Sequence, residues 1–294
     1  MHKWGTHYKL WIGFAALFGA ICVFFSLKTD TPRLALFWLF GLAFGFVVQR
    51  SRFCFVSAIS NFFIFKDRRL LVGILTGLFI ATIGFTVIMH SQVSDPSTGI
   101  PATAYVAPFG WHLVLAGLIF GLGMMLAGGC VLGTLYRIGE GALASLIALL
   151  GIVIGMGILQ HNWPWWWNSY ISRLPNVWLP AHVGWIAAVG LTLVSILLLL
   201  KLVTSGEAIR PVPQQEKMII NKSAGTRLKS LVRSIFVQGW PLATGGIVLG
   251  LGNILLYQTA QRPWGITGEV MRWSQNVMQA IHIPAPPVGN VPGT

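Results

Sequence analysis

The sequence predicts an all-α, polytopic integral membrane protein built on inverted repeats of short, broken or re-entrant helices. Three observations carry this expectation. Only 9% of the 294 residues are charged and 55% are hydrophobic, with a mean hydropathy of +0.72, whereas a soluble domain carries about 25% charged residues. The apolar runs are long and continuous, as membrane helices require, rather than alternating like barrel strands. One pattern also occurs twice, as GLAFGFVVQRSRFC at 41–54 and GLIFGLGMMLAGGC at 117–130. Gly41, Leu42, Phe44, Gly45 and Cys54 match Gly117, Leu118, Phe120, Gly121 and Cys130 at a fixed separation of 76 residues. A repeat inside a membrane protein points to a site between its copies.

The elements follow in order. Residues 10–27 are an apolar run between Lys9 and Lys28, just long enough to span. No small-x-small cleavage site follows, so the run reads as a first transmembrane helix rather than a signal peptide. Cys22 lies within it, outside the repeated pattern, and reads as a small buried or lipid-facing residue. The apolar pieces 34–48 and 53–65 flank a polar break, QRSR. Neither piece alone crosses about 30 Å of hydrocarbon, so the pair predicts a hairpin or a broken helix with Cys54 at the break. Residues 70–89 make a full span. The second copy repeats the short design: 113–127, then the glycine-rich break at Cys130, then a run over 142–159. The tryptophans of 160–182 predict an aromatic belt in a loop at the outer interface. Residues 183–200 and 241–256 are further spans. PWGITG at 263–268 is another turn-rich break, 269–282 is mixed in polarity, and the tail is proline-rich.

Three regions result. Residues 1–203 form a membrane domain holding the repeats 34–65 and 113–159. Residues 204–239 form a basic cytoplasmic connection. Residues 240–294 bring further membrane helices. The net charge of +13 fits the positive-inside rule and anionic lipid. The basic residues sit between apolar spans rather than on one soluble face, which argues against nucleic-acid binding. The KDRR turn at 66–69 and the 204–239 stretch read as cytoplasmic, and loops 90–112 and 160–182 as outside. On that count the two copies enter from opposite faces, although Lys3 and Lys9 pull against this placement.

The breaks carry the chemistry. Helix starts at membrane depth can hold an anion with backbone N–H groups, and Gly128 and Gly129 allow close approach. The GxxxG pairs Gly41/Gly45 and Gly117/Gly121 allow backbones to pack closely. A neutral thiol is a weak donor with a soft sulfur, suited to a substrate that carries a soft sulfur itself, whereas a permanent thiolate repels an anion. Arg50, Arg52 and Arg137 lie beside the breaks. Ionisable residues near membrane depth are functional candidates, the alternative being that they snorkel to headgroups. Glu140, three residues after Arg137, is placed to be its ion-pair partner. Three cysteines without CxxC or Cys/His spacing give neither a zinc site nor a disulfide framework, and no cofactor motif is present.

GLAFGFVVQRSRFCF at 41–55, GLIFGLGMMLAGGCVLGTLYRIGEG at 117–141 and RPWGITG at 262–268 resemble the YeeE/YedE family of bacterial sulfur-transport membrane proteins. The resemblance implies a multi-pass protein of the bacterial inner membrane, with short broken helices around a narrow central path. It implies uptake of thiosulfate or a related sulfur-containing anion, relayed by S–H···S contacts at Cys54 and Cys130. Family members usually carry another glycine-cysteine motif near the C-terminus. This chain reaches Thr294 without it, so the expectation is a fragment, a shortened member, or one part of a path completed by another protein. The partners expected are the small anion, the lipid bilayer, and a soluble sulfur-carrier or sulfurtransferase protein on the cytoplasmic side. Two other classes stay open at this point. One is a membrane sulfurtransferase or thiol oxidoreductase using the same cysteines, for which no paired base or nucleophile motif is found. The other is a membrane subunit that tethers a soluble sulfur-handling protein.

Overall fold

The computed structural model describes residues 4–101, 103–205, 240 and 242–283. The basic stretch predicted to connect the halves lies, from residue 206 to residue 239, outside them. The chain divides into two compact units, Met1–Val47 and Val48–Thr294. Secondary structure among the described residues is helical, apart from a single bridge between Pro108 and Asn176. Among the described residues, five helical stretches are long and apolar enough to cross a membrane: Pro32–Phe63, Arg69–Gln92, Trp111–Gly139, Leu143–Arg173 and Leu179–Thr204. The protein is a multi-pass, all-α membrane protein.

The first unit holds α1 (Trp4–Asp30) and most of α2 (Pro32–Ser51). Pro32 opens α2, where its missing N–H costs nothing. The indole of Trp38 donates to the carbonyl of Ala20 at 3.2 Å, tying α2 to α1. Cys22 is exposed on α1 as a free thiol.

The second unit begins in the last turn of α2. It continues through α3 (Phe55–Phe63), α4 (Arg69–Gln92), α5 (Trp111–Ala127), α6 (Val131–Gly139), α7 (Leu143–Ser169), a 3₁₀ turn (Ile171–Arg173), α8 (Leu179–Thr204), α9 (Leu242–Ala260) and α10 (Thr267–Ala280). The α3–α4 turn is folded by Asp67, whose carboxylate meets the Arg69 guanidinium at 2.7 Å. That contact holds the Asp67 carboxyl below its ordinary range.

The tightest packing joins α4 to α9, and it is backbone on backbone. A Cβ at Gly250 would lie 2.7 Å from the carbonyl oxygen of Gly77, and one at Gly246 would collide with the carbonyl of Gly73. Two GxxxG faces, Gly73/Gly77 and Gly246/Gly250, thus interlock, as small residues do where lipid offers no hydrophobic drive. The expectation placed close approach at other pairs. At Gly117 and Gly121 of α5 an added Cβ would meet nothing within 4 Å. A GxxxG spacing says that a helix can be approached, not that it is.

The tryptophan-rich segment also differs from expectation. The sequence predicts an outer loop from residue 160, but α7 runs on to Ser169 with Pro164 inside it. Proline removes one helical hydrogen bond, to the carbonyl four residues back. The turn tolerates this loss, and Trp163 packs near Trp167 at 6.4 Å between ring centroids. At the far end α10 lies against α7, where the Ser274 hydroxyl donates to the carbonyl of Val153 at 2.7 Å. The break at 263–268 separates α9 from α10 much as the sequence indicates.

Candidate functional site

Each cysteine stands at a break between a long helix and a nine-residue one, and the two breaks have the same backbone construction. In the second copy α5 ends at Ala127. Gly128 then takes a left-handed conformation (φ 66°) and donates its N–H to Met125, while Gly129 donates to Met124, each at 3.2 Å. This pairing is the Schellman helix stop, which favours glycine at the left-handed position. In the first copy α2 ends at Ser51, Arg52 is left-handed (φ 49°), and Phe53 donates back to Val48 at 3.1 Å. Arg52 and Gly128 occupy the same place in the repeat. A left-handed non-glycine residue is uncommon, so the first copy accepts strain that the second avoids.

Two residues further on, each cysteine takes an extended conformation as the N-cap of its short helix, Cys54 for α3 and Cys130 for α6. The Cys130 sulfur accepts from the N–H of Gly133 at 3.3 Å; the Cys54 side chain makes no cap of its own. The two sulfurs lie 3.5 Å apart, within hydrogen-bonding range for thiols. The pair is buried, Cys54 at 0% exposure and Cys130 at 6%, with Val56, Met124 and Leu132 packed around it. Gly133 makes the contact possible: a Cβ there would lie 2.8 Å from the Cys54 sulfur.

Arg137, two turns down α6, reaches back so that its guanidinium donates to the carbonyl of Gly128. A cation therefore sits on the negative end of α5 and beside Gly129. Arg52, Ser57, Asn61, Leu70, Tyr136, Arg137 and Glu140 line a cavity of about 340 Å³. Both short helices lead from the thiol pair into the walls of this one cavity.

Of the residues singled out in the sequence, Cys54, Cys130, Gly128, Gly129 and Arg137 come together, and Arg52 joins Arg137 in lining the cavity. Arg50 does not line it; its carbonyl accepts from the N–H of Trp240 at 3.2 Å. The ion pair expected between Arg137 and Glu140 is absent among the described residues. Arg137 turns to Gly128, and Glu140 accepts from Gln49 at 3.3 Å. Three residues with little warning in the sequence also stand at the site: Gly133 against the Cys54 sulfur, and Ser57 and Asn61 in the cavity wall. The repeat register carries a signal for them, since Ser57 aligns with Gly133 and Asn61 with Arg137.

A family model described as sulphur transport matches residues 50–288. Among curated proteins, "Probable transporter YedE" of Escherichia coli K12 is 30% identical over 167 residues, covering 57% of this chain and 38% of that protein. "Thiosulfate transporter TsuA" of Escherichia coli K12 is 33% identical over 121 residues, covering 41% and 32%. TsuA of Spirochaeta thermophila is 33% identical over 138 residues, covering 47% and 40%. These relatives are named as transporters and not as enzymes, and the aligned part of the chain spans between about a third and two fifths of their length. With breaks, thiol pair and family match in agreement, the chain belongs to the sulphur transport family.

Proposed function

We propose that this chain is an inner-membrane permease that admits thiosulfate or a related sulfur-containing anion through a path lined by Cys54 and Cys130. One observation carries the reading: two thiols 3.5 Å apart, each at the N-terminus of a short helix. Each helix start brings backbone N–H groups and partial positive charge to the sulfurs, the Gly133 N–H already donating to Cys130. The dipoles stabilise an anion there by about 1–2 kcal/mol each in a partly buried setting. In the resting pair one thiol hydrogen-bonds the other. An arriving anion with a terminal sulfur replaces that contact, accepting an S–H from one cysteine and then from the other. Neutral thiols serve this relay, because a thiolate opposes the anion's charge.

Gly128 and Gly129 give the anion close access to backbone at the second break. Arg52 and Arg137 supply attraction from the cavity beside it, and Arg50 acts at longer range. The basic KDRR turn supports a cytoplasmic side for this cavity, where a soluble sulfur-carrier or sulfurtransferase protein receives the anion. In this reading residues 1–203 are the membrane domain, 204–239 the cytoplasmic connection and 240–294 the further helices. The loop charges support two copies that enter from opposite faces, an inverted repeat with the thiol pair between them.

The test is uptake of radiolabelled thiosulfate into liposomes holding the purified protein. Cys54→Ala and Cys130→Ala abolish uptake, and Cys22→Ala retains it. Equal uptake in all three variants would overturn the proposal.

A further inference from the structure

We propose that the cavity beside the thiol pair is a separate binding site for the oxygen end of a tetrahedral oxyanion, built from Arg52, Ser57, Asn61, Tyr136 and Arg137 and weakened on purpose by Glu140. The inference rests on the permease reading and adds a division of labour to it: sulfur is read by the thiols, oxygen by this cavity.

The cavity has the donor chemistry for the task. Its two guanidiniums, Arg52 and Arg137, come from different copies of the repeat. Ser57 and Asn61 stand one turn apart on α3 and offer a hydroxyl and an amide. Tyr136 adds a phenol from α6. An ion with several equivalent oxygens is satisfied by donors arriving from several directions, and a guanidinium takes two of those oxygens at once. Leu70 closes one wall. With no soft atom in this set, the cavity cannot distinguish sulfate from thiosulfate. The thiols make that distinction, because sulfate has no terminal sulfur to accept S–H.

Glu140 is the informative residue. A carboxylate in an anion site opposes binding, yet Gln49 holds it in place with a 3.3 Å hydrogen bond in the same cavity wall as Arg52 and Arg137. Two cations against one anion leave a modest attraction. A conducting site needs this balance, since an ion must bind well enough to enter and loosely enough to leave.

Calorimetric titration of the purified full chain with sodium sulfate tests the site. The wild-type protein binds sulfate. Asn61→Leu and Arg52→Gln weaken binding severalfold. Glu140→Gln tightens it by roughly tenfold, the effect of removing one nearby like charge in a semi-polar setting, and a misfolded variant does not produce a gain. Absence of sulfate binding by the wild type, or unchanged affinity in Glu140→Gln, overturns the proposal. The two readings fail separately. Sulfate binding that responds as stated, in a protein that takes up no thiosulfate, upholds the cavity and removes the permease. Uptake without a Glu140→Gln effect removes the cavity alone.

Discussion

The two copies of the repeat share a backbone and divide the chemistry. In each, a helix stops in a left-handed residue, and two residues later a cysteine caps a nine-residue helix. The side chains on that frame differ. The first copy puts arginine at the left-handed position and amide Asn61 near the end of its short helix. The second puts glycine at the left-handed position and sends a cation, Arg137, back from the later position. Each copy thus supplies one guanidinium to the cavity from a different place. The Cys130 sulfur is tied to a backbone N–H, whereas the Cys54 sulfur packs against Gly133 with no cap bond. What the repeat preserves is the stop-and-restart of the helix with a thiol at the restart. The surrounding charges were free to diverge.

The largest effect in breaking this comparison belongs to Gly133. The first copy carries Ser57 at the matching position and tolerates its Cβ. The second cannot, because a Cβ at 133 would lie 2.8 Å from the Cys54 sulfur. Gly133→Ala therefore separates the thiols and lowers thiosulfate uptake by roughly tenfold or more, the size expected of overpacking a buried contact. Oxidative cross-linking of Cys54 to Cys130, in a Cys22→Ala background, reports the separation independently of transport. A disulfide needs the sulfurs at about 2.05 Å, so cross-linking proceeds in the parent and slows in Gly133→Ala. Equal cross-linking and equal uptake would show that the glycine is incidental to the pair.

Gly128→Ala comes next. A left-handed residue with a Cβ costs about 1–2 kcal/mol, so the variant melts at lower temperature in detergent. Arg137→Gln follows at about 1 kcal/mol, the contribution of one charge-assisted hydrogen bond at a partly exposed helix end. If its melting temperature stays at the parental value, the Arg137 contact with Gly128 contributes nothing to the second break.

The fold class and both breaks were legible in the sequence for physical reasons. Hydropathy measures burial in lipid directly, and a helix too short to span must break or turn back. Cys54 and Cys130 stood out because the register between the copies singles them out. The partner of Arg137 was not legible. Glu140 is its neighbour at helical spacing, but the unsatisfied carbonyl of Gly128 appears only once the chain has turned. The α4–α9 contact is hidden in the sequence for a similar reason. GxxxG spacing occurs on several helices, and tertiary packing decides which pairs meet. The course of α7 past Pro164 was hidden because polar and aromatic residues at a helix end look like a loop. Ser57, Asn61 and Gly133 are marked only by the repeat register, because a serine, an amide and a glycine in a helix carry no chemical signature of their own.

The smallest effect is the sharpest test of the shared backbone, because its sign opposes that of Gly128→Ala. Arg52→Gly removes left-handed strain worth about 1–2 kcal/mol. It also frees the unfolded chain, which costs about 0.5–1 kcal/mol for a residue changed to glycine. The difference leaves the variant between level with the parent and about 1.5 kcal/mol more stable, centred on about 0.75 kcal/mol. Melting of both variants side by side in one detergent measures this directly: Gly128→Ala falls, and Arg52→Gly holds or rises. A loss in Arg52→Gly as large as that in Gly128→Ala would mean that the Arg52 side chain, not its backbone, organises the first break, and that the two copies resemble each other in sequence more than in physics. Sulfate affinity separates the roles further, because Arg52→Gly weakens binding in the cavity even where it stabilises the fold. Strain at Arg52 is then the cost of placing a cation at the one residue of the first copy that faces the shared cavity from the break itself.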